Sequence, residues 1–206
     1  YNKHDYLLEG NLLNEKEKEF YQEVTAKMAD NTAAASLRSL SDFLRRYHGK
    51  NVIILLDEYD TPMQEAYVNG YWEEMVAFIR SLFNATFKTN PYLDRALMTG
   101  ITRVSKESVF SDLNNLQVVT TTSPKYTGCF GFTEEEVFAA LDEFGMSDKR
   151  QQVKDWYDGF TFGQKKDIYN PWSIINFLKE GRVGAYWANT SSTAWWGSCC
   201  GKAARM

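Results

Sequence analysis

The sequence predicts an α/β fold: a parallel sheet flanked by helices. Three observations predict it. Residues 52–56, VIILL, form an unbroken apolar run that does not alternate, as a strand covered on both faces requires. A second such run, LDRALMTGI at 93–101, follows after a helical stretch. Apolar residues between and before these runs recur at helical spacing, so helix and strand alternate as they do when crossover helices join parallel strands.

The elements follow in order. Residues 1–13 are polar and irregular, with Gly10 as a breaker. Asn14 and Glu17 form a capping-box pattern, and Phe20, Val24 and Met28 at helical spacing predict a helix over 14–29. Residues 30–32 read as a turn. Leu37, Leu40, Phe43, Leu44 and Tyr47 share one face of a second helix over 34–47, which His48-Gly49 closes. After the first strand, Thr61-Pro62 opens a loop, and a partly helical stretch runs to Gly70. An amphipathic helix over 72–87 carries Met75, Phe78, Ile79, Leu82, Phe83 and Phe87, and Asn90-Pro91 stops it. The second strand follows, then a short helical turn at 105–110 and a third, β-branched strand at 117–121.

Composition shifts near Thr121. A Gly/aromatic loop leads to Thr133-Glu134-Glu135-Glu136, which caps a helix reaching Phe144. A further helix spans 147–157. Asp158-Gly159 turns the chain into a hairpin or wing through Tyr169, and Asn170-Pro171 opens a last helix over 172–179. The expected organisation is an α/β core at 1–121, a helical lid at 122–192, and an irregular or non-native tail at 193–206.

With 206 residues the chain can bury a substantial core, and 44% hydrophobic with 24% charged residues is ordinary for a globular protein. A net charge of −4 argues against a nucleic-acid footprint covering the whole surface. No apolar run approaches the roughly 18 residues of a membrane span, and no signal peptide opens the chain, so no membrane role is expected. Three cysteines, Cys129, Cys199 and Cys200, do not form a disulfide framework and point to a reduced, cytoplasmic setting. The two histidines, His4 and His48, provide neither an HExxH motif nor a His-rich metal site.

The chemistry concentrates where the first strand ends, at Asp57-Glu58-Tyr59-Asp60. Carboxylates at the C-terminal ends of strands in an open α/β sheet sit where ligands bind. A strand running into Asp-Glu is the pattern of a Walker B element, in which Asp57 holds Mg²⁺ and Glu58 polarises the attacking water. The competing reading is that any buried strand must end in something polar.

YHGKNVIILLDEYDTPM, ALMTGITRVSKESVFSDLNNLQVV, GFTEEEV, WYDGF and YNPWSIINFL resemble, in order over residues 6–191, the bacterial AAA-ATPase-like family of P-loop ATPases. The resemblance implies a P-loop NTPase-like sheet of the additional-strand, catalytic-Glu class, a helical or winged lid, and in many members a C-terminal PD-(D/E)XK nuclease-like domain. It gives Asp57 the Mg²⁺ role, Glu58 the water-activating role and Asp60 a supporting one. Thr99 or Thr102 takes the sensor position that reads the γ-phosphate. Arg103 is either a phosphate sensor or intersubunit finger, or a salt-bridge partner of Asp57 or Asp60. Mg²⁺ and ATP are implied as cofactors of a full-length parent, and nucleic acid as a partner of that parent.

The sequence departs from that pattern in one respect: G-x-x-x-x-G-K-[ST] occurs nowhere in it. Without this loop there is no nest of backbone N–H groups for phosphates. The chain therefore reads as an internal fragment that does not bind ATP well by itself. The missing P-loop strand belongs between the strands at 94–101 and 117–121, which leaves open edges and the expectation of rearrangement or self-association. Two other function classes stand beside the ATPase reading. One is a glycosidase using the clustered carboxylates, which the alternation of Asp57 and Glu58 along a strand disfavours. The other is an interaction module using the lid.

Overall fold

The computed structural model describes residues 1–101, 110, 113 and 115–187. The chain is mixed α/β and divides into two compact units, Tyr1–Leu116 and Gln117–Met206.

In the first unit a 3-10 segment, Asn2–Leu8, precedes helices α1 (Glu15–Glu23) and α2 (Asp30–His48). The opening stretch is thus more ordered than its polar composition implied. Leu7 and Leu13 are buried and pack with Tyr21 and Phe43. The capping box of α1 forms as expected: the Glu17 N–H donates to Asn14 Oδ1 (3.0 Å), and the Asn14 N–H donates to Glu17 Oε2 (2.8 Å). The helix stops at Glu23 rather than near 29. There the Lys27 N–H turns back to Thr25 Oγ1 (3.3 Å), a local side-chain bond that competes with continued helix. Residues 30–32, expected as a turn, are instead the first turn of α2. The carboxylate of Asp30 complements the positive end of the helix dipole, and Ala33, Ala34 and Ala35 favour helix directly after it. Gly49, with φ 70°, closes α2 as read from the sequence.

Strand β1 (Val52–Leu56) pairs in parallel with β2 (Leu93–Met98), from Val52 opposite Leu93 to Leu56 opposite Met98. The crossover contains α3 (Thr61–Asn69) and α4 (Trp72–Phe83), followed by a π-helical turn, Asn84–Lys88. Thr61-Pro62 begins a helix, not a loop, because proline fits the first turn, where an N–H is not needed. Met63, Val76, Ile79 and Phe83 form the core beneath the sheet, with Leu56, Tyr59 and Met98 packed against them. Burying each of Met63 and Phe83 contributes roughly 1.5–3 kcal/mol of hydrophobic free energy.

One expectation fails here. Among the described residues, the first strand is not covered on both faces. Ile53 and Leu55 are 58% and 73% exposed, and Leu97, opposite Leu55, is 57% exposed. The sheet has two strands among the described residues, with helices against one face only. An unbroken apolar run did not distinguish these cases.

The second unit holds a three-stranded antiparallel sheet in the order β3 (Phe132–Thr133), β5 (Lys165–Tyr169), β4 (Asp158–Phe162). Helices α5 (Glu134–Glu143), α6 (Arg150–Tyr157) and α7 (Pro171–Glu180) pack with it around Val137, Leu141, Val153, Tyr169, Ile174 and Phe177. The Thr133–Glu136 capping box and the Asn170 cap both form. The hairpin turns at Gly163, so Asp158-Gly159, expected as the turn, lies within β4. Gly131 is required where β3 begins. Its φ is +88°, and a Cβ there would lie 2.5 Å from Ile168 Cγ2.

The third strand expected at 117–121 does not form. The Thr120 N–H donates to Ser123 Oγ (2.9 Å), the Ser123 N–H donates to Thr120 O (3.0 Å), and Thr121 O accepts from the Gly163 N–H (2.7 Å). One hydroxyl–backbone bond and two backbone turn or loop bonds thus engage Thr120, Thr121 and Ser123 outside any ladder. The segment starts the second unit instead of extending the parallel sheet.

Candidate functional site

At the C-terminal ends of β1 and β2 the backbone pairing continues one step beyond the strands. The Thr99 N–H donates to Leu56 O (2.9 Å), and the Tyr59 N–H donates to Thr99 O (3.0 Å). This clamps the Asp57-Glu58 dipeptide against Thr99. The Thr99 hydroxyl donates to Asp57 Oδ1, and the Glu58 N–H reaches the same oxygen at 3.1 Å. Asp57 Oδ2 carries no hydrogen bond to a described residue. Asp57 and Glu58 are both exposed.

Glu58 adopts φ 51°, the left-handed region, where a non-glycine residue is uncommon. This sharp bend ends the strand and starts α3, with the Thr61 N–H donating to Glu58 O (3.1 Å). A residue strained at a strand end beside a second carboxylate is the kind of position where function holds a backbone against its preference.

Asp60 differs from its neighbours. It is 1% exposed, and its Oδ2 accepts from the Gln64 side-chain amide (2.8 Å) and from the Ile101 N–H (3.1 Å). The buried carboxylate ties the start of α3 to the segment leaving β2. Gly100 lies against this joint. A Cβ on it would fall 2.6 Å from Tyr59 Cε1 and 2.7 Å from Asp60 Oδ1.

Of the residues singled out from the sequence, Asp57, Glu58, Asp60 and Thr99 therefore converge on one strand-end surface. Thr102 and Arg103 lie outside the described residues, as do positions 105–109 of the short turn expected at 105–110. Sequence reasoning passed over Gly100 and Gln64. A glycine directly after a strand signals close backbone approach, and Gln64 stands one helical turn after Asp60. The carboxylates do not line the surface depression formed by Tyr67, Gly70, Tyr71, Trp72, Glu73 and Glu74.

A second charged cluster lies in the other unit. Lys154 Nζ sits 2.5 Å from Glu134 Oε2 and 3.9 Å from Asp167 Oδ1, and the Tyr169 hydroxyl donates to Glu134 (3.1 Å). Burial, reinforced by a hydrogen bond with Asp167 and by its charge, holds the Asp158 carboxyl above the ordinary carboxylate range. No group of three or more His, Cys, Asp or Glu among the described residues is arranged to hold a metal ion.

The family model described as predicted AAA-ATPase matches residues 6–110, just over half of the 206-residue chain and all of the strand-end site up to Ile101. The chain belongs to this AAA-ATPase-like family. A protein of Azotobacter chroococcum mcd 1, described as an uncharacterized protein in the vnfD 5' region, is 26% identical over 155 residues. That match covers 73% of this chain and 30% of the relative, so the chain spans less than a third of the relative's length. No solved structure matches it significantly. No helix among the described residues of this AAA-ATPase-like chain is long and apolar enough to cross a membrane.

Proposed function

We propose that the strand-end surface is the acidic half of an ATP-hydrolysing site of P-loop type, with Asp57-Glu58 as its Walker B element and Thr99 as its sensor. The observation that carries this reading is the hydrogen bond from Thr99 to Asp57 across two parallel strands, beside a strained Glu58. Asp57 suits Mg²⁺: it is exposed and keeps one carboxylate oxygen outside its hydrogen bonds, and Mg²⁺ takes one or two carboxylates together with waters and substrate phosphates. The bound ion would neutralise charge developing on the phosphates. Thr99 holds Asp57 in one rotamer and stands where a hydroxyl can exchange that bond for one to a γ-phosphate oxygen. Glu58, turned outward, would orient the attacking water and accept its proton. Asp60 acts through the backbone, fixing the loop that carries the other two carboxylates.

The phosphate cradle is not among these 206 residues, since no G-x-x-x-x-G-K-[ST] occurs in them. The site therefore needs a phosphate-binding loop from elsewhere. The test is Mg-ATP turnover by the full-length protein. Glu58→Gln should lower it at least a hundredfold with an unchanged unfolding midpoint, and turnover that survives the substitution would sink the reading. Saturable micromolar Mg-ATP binding by this 206-residue chain alone would equally contradict the division of the site.

A further inference from the structure

The chain contains two histidines, 44 positions apart in sequence, and both ring systems meet one tyrosine hydroxyl. His4 Nδ1 lies 3.2 Å from Tyr6 Oη, and His48 Nε2 lies 3.2 Å from the same oxygen. These are the only hydrogen bonds the Tyr6 hydroxyl makes with described residues. Ring packing fixes the arrangement. Tyr47 stacks edge-on against His48 with centroids 4.8 Å apart, and lies 4.9 Å from the Tyr6 ring. His4 departs from helical dihedrals (φ −123°, ψ 23°) inside its 3-10 segment, at the point where its ring meets Tyr6.

We propose that His4 Nδ1, Tyr6 Oη and His48 Nε2 form a binding site for a divalent first-row transition ion of the imidazole-preferring kind, such as Zn²⁺. The spacing supports this. Two ligands that each hold an ion at about 2.0–2.1 Å in a tetrahedron stand about 3.3 Å apart, close to the separations of the two ligand pairs that share Tyr6 Oη, out of the three pairs in the set. Two imidazoles and an oxygen leave a fourth position for water, the donor set that suits zinc or copper rather than magnesium. Electrostatics also favour a cation. His48 is the last residue of the 19-residue helix α2, where backbone carbonyls concentrate negative charge. The arginines of that last turn are engaged elsewhere, Arg45 with Asn51 and Arg46 with Glu17 and Asp42. Binding converts the tyrosine phenol to phenolate and releases its proton to solvent.

The site would tie the start of the chain to the end of α2, next to the residues that lead into β1. It is distinct from the strand-end carboxylates and uses none of them.

The test is Zn²⁺ titration by calorimetry of the whole chain carrying Cys129→Ser, Cys199→Ser and Cys200→Ser, which removes thiolate competition. One equivalent should bind saturably, with release of close to one proton. His4→Gln, His48→Gln and Tyr6→Phe should each weaken binding at least tenfold, with circular dichroism confirming that each variant folds. The imidazole C2 proton resonances of His4 and His48 should shift together up to one equivalent in the chain that keeps both. Absence of saturable binding, full affinity in any of the three variants, or a shift of one imidazole without the other would overturn the proposal.

Discussion

A Cβ on Gly100 would lie 2.7 Å from Asp60 Oδ1. Asp60 cannot easily retreat, because its other carboxylate oxygen is held from two directions, by Gln64 and by the Ile101 N–H. Gly100→Ala should therefore destabilise the first unit by about 1–3 kcal/mol, the usual cost of forcing a methyl group into a packed site. Urea denaturation followed by circular dichroism measures it, and an unchanged midpoint would show that the loop has slack the geometry does not suggest.

Removing the carboxylate should cost more than crowding it. Asp60→Ala leaves the part-buried Ile101 N–H and Gln64 amide without the shared acceptor that buried Asp60 supplies. The expected loss is about 2–4 kcal/mol, from two stranded donors and one charge-assisted network. Asp60→Asn keeps the shape and one acceptor oxygen, so it should lose less than half of that. Equal losses in the two variants would place the effect in packing rather than in hydrogen bonding.

Glu58 predicts the opposite sign. Its φ of 51° is a conformation that glycine adopts without strain. Glu58→Gly should leave stability unchanged or raise it by up to about 1 kcal/mol while it removes the proposed water-activating group. A stabilised, inactive variant is the signature of strain held for function. Clear destabilisation, read by thermal unfolding, would instead make Glu58 a structural residue.

The charged cluster of the second unit sets a pH dependence. Asp158 has its pKa raised in the folded chain, by burial first and then by Asp167. The native state consequently holds its proton to higher pH than the unfolded chain does. The contribution of Asp158 is favourable at acid pH and declines as pH rises from the ordinary carboxylate range through the raised folded value. Lys154 opposes the shift and Glu134 adds to it. Asp158→Asn should stabilise the second unit near neutral pH and have no such benefit at acid pH, a crossover visible in unfolding midpoints measured across that range. Asp142 runs the other way. Its hydrogen bond to Arg150 holds it below the ordinary range, so that contribution is present at neutral pH and lost on acidification.

Local chemistry made much of this fold legible. The Asn14–Glu17 and Thr133–Glu136 capping boxes and the glycine that ends α2 depend on neighbours a few residues apart, and all three form. The parallel pairing of β1 with β2 was also readable, since two apolar runs joined by helices have few other solutions. What failed depended on distant partners. Whether Ile53 and Leu55 are covered is decided by what packs over them, which their own identities cannot say. The 117–121 segment has strand-forming residues, but Thr120 and Ser123 satisfy each other's backbone before any neighbouring strand can. At the site, the Asp-Glu pair was legible because it abuts a strand. The burial of Asp60 was not, because its donors come from Gln64 and from a backbone 41 positions away.

The uncovered face of the parallel sheet has a practical consequence. Among the described residues, Ile53, Leu55 and Leu97 offer an apolar surface on the folded first unit. A fluorescent dye such as ANS, commonly read as a reporter of molten intermediates, should light up on the folded first unit without any loss of structure. For this protein dye brightness is a poor index of unfolding, and near-ultraviolet circular dichroism of the aromatic core is the sounder one.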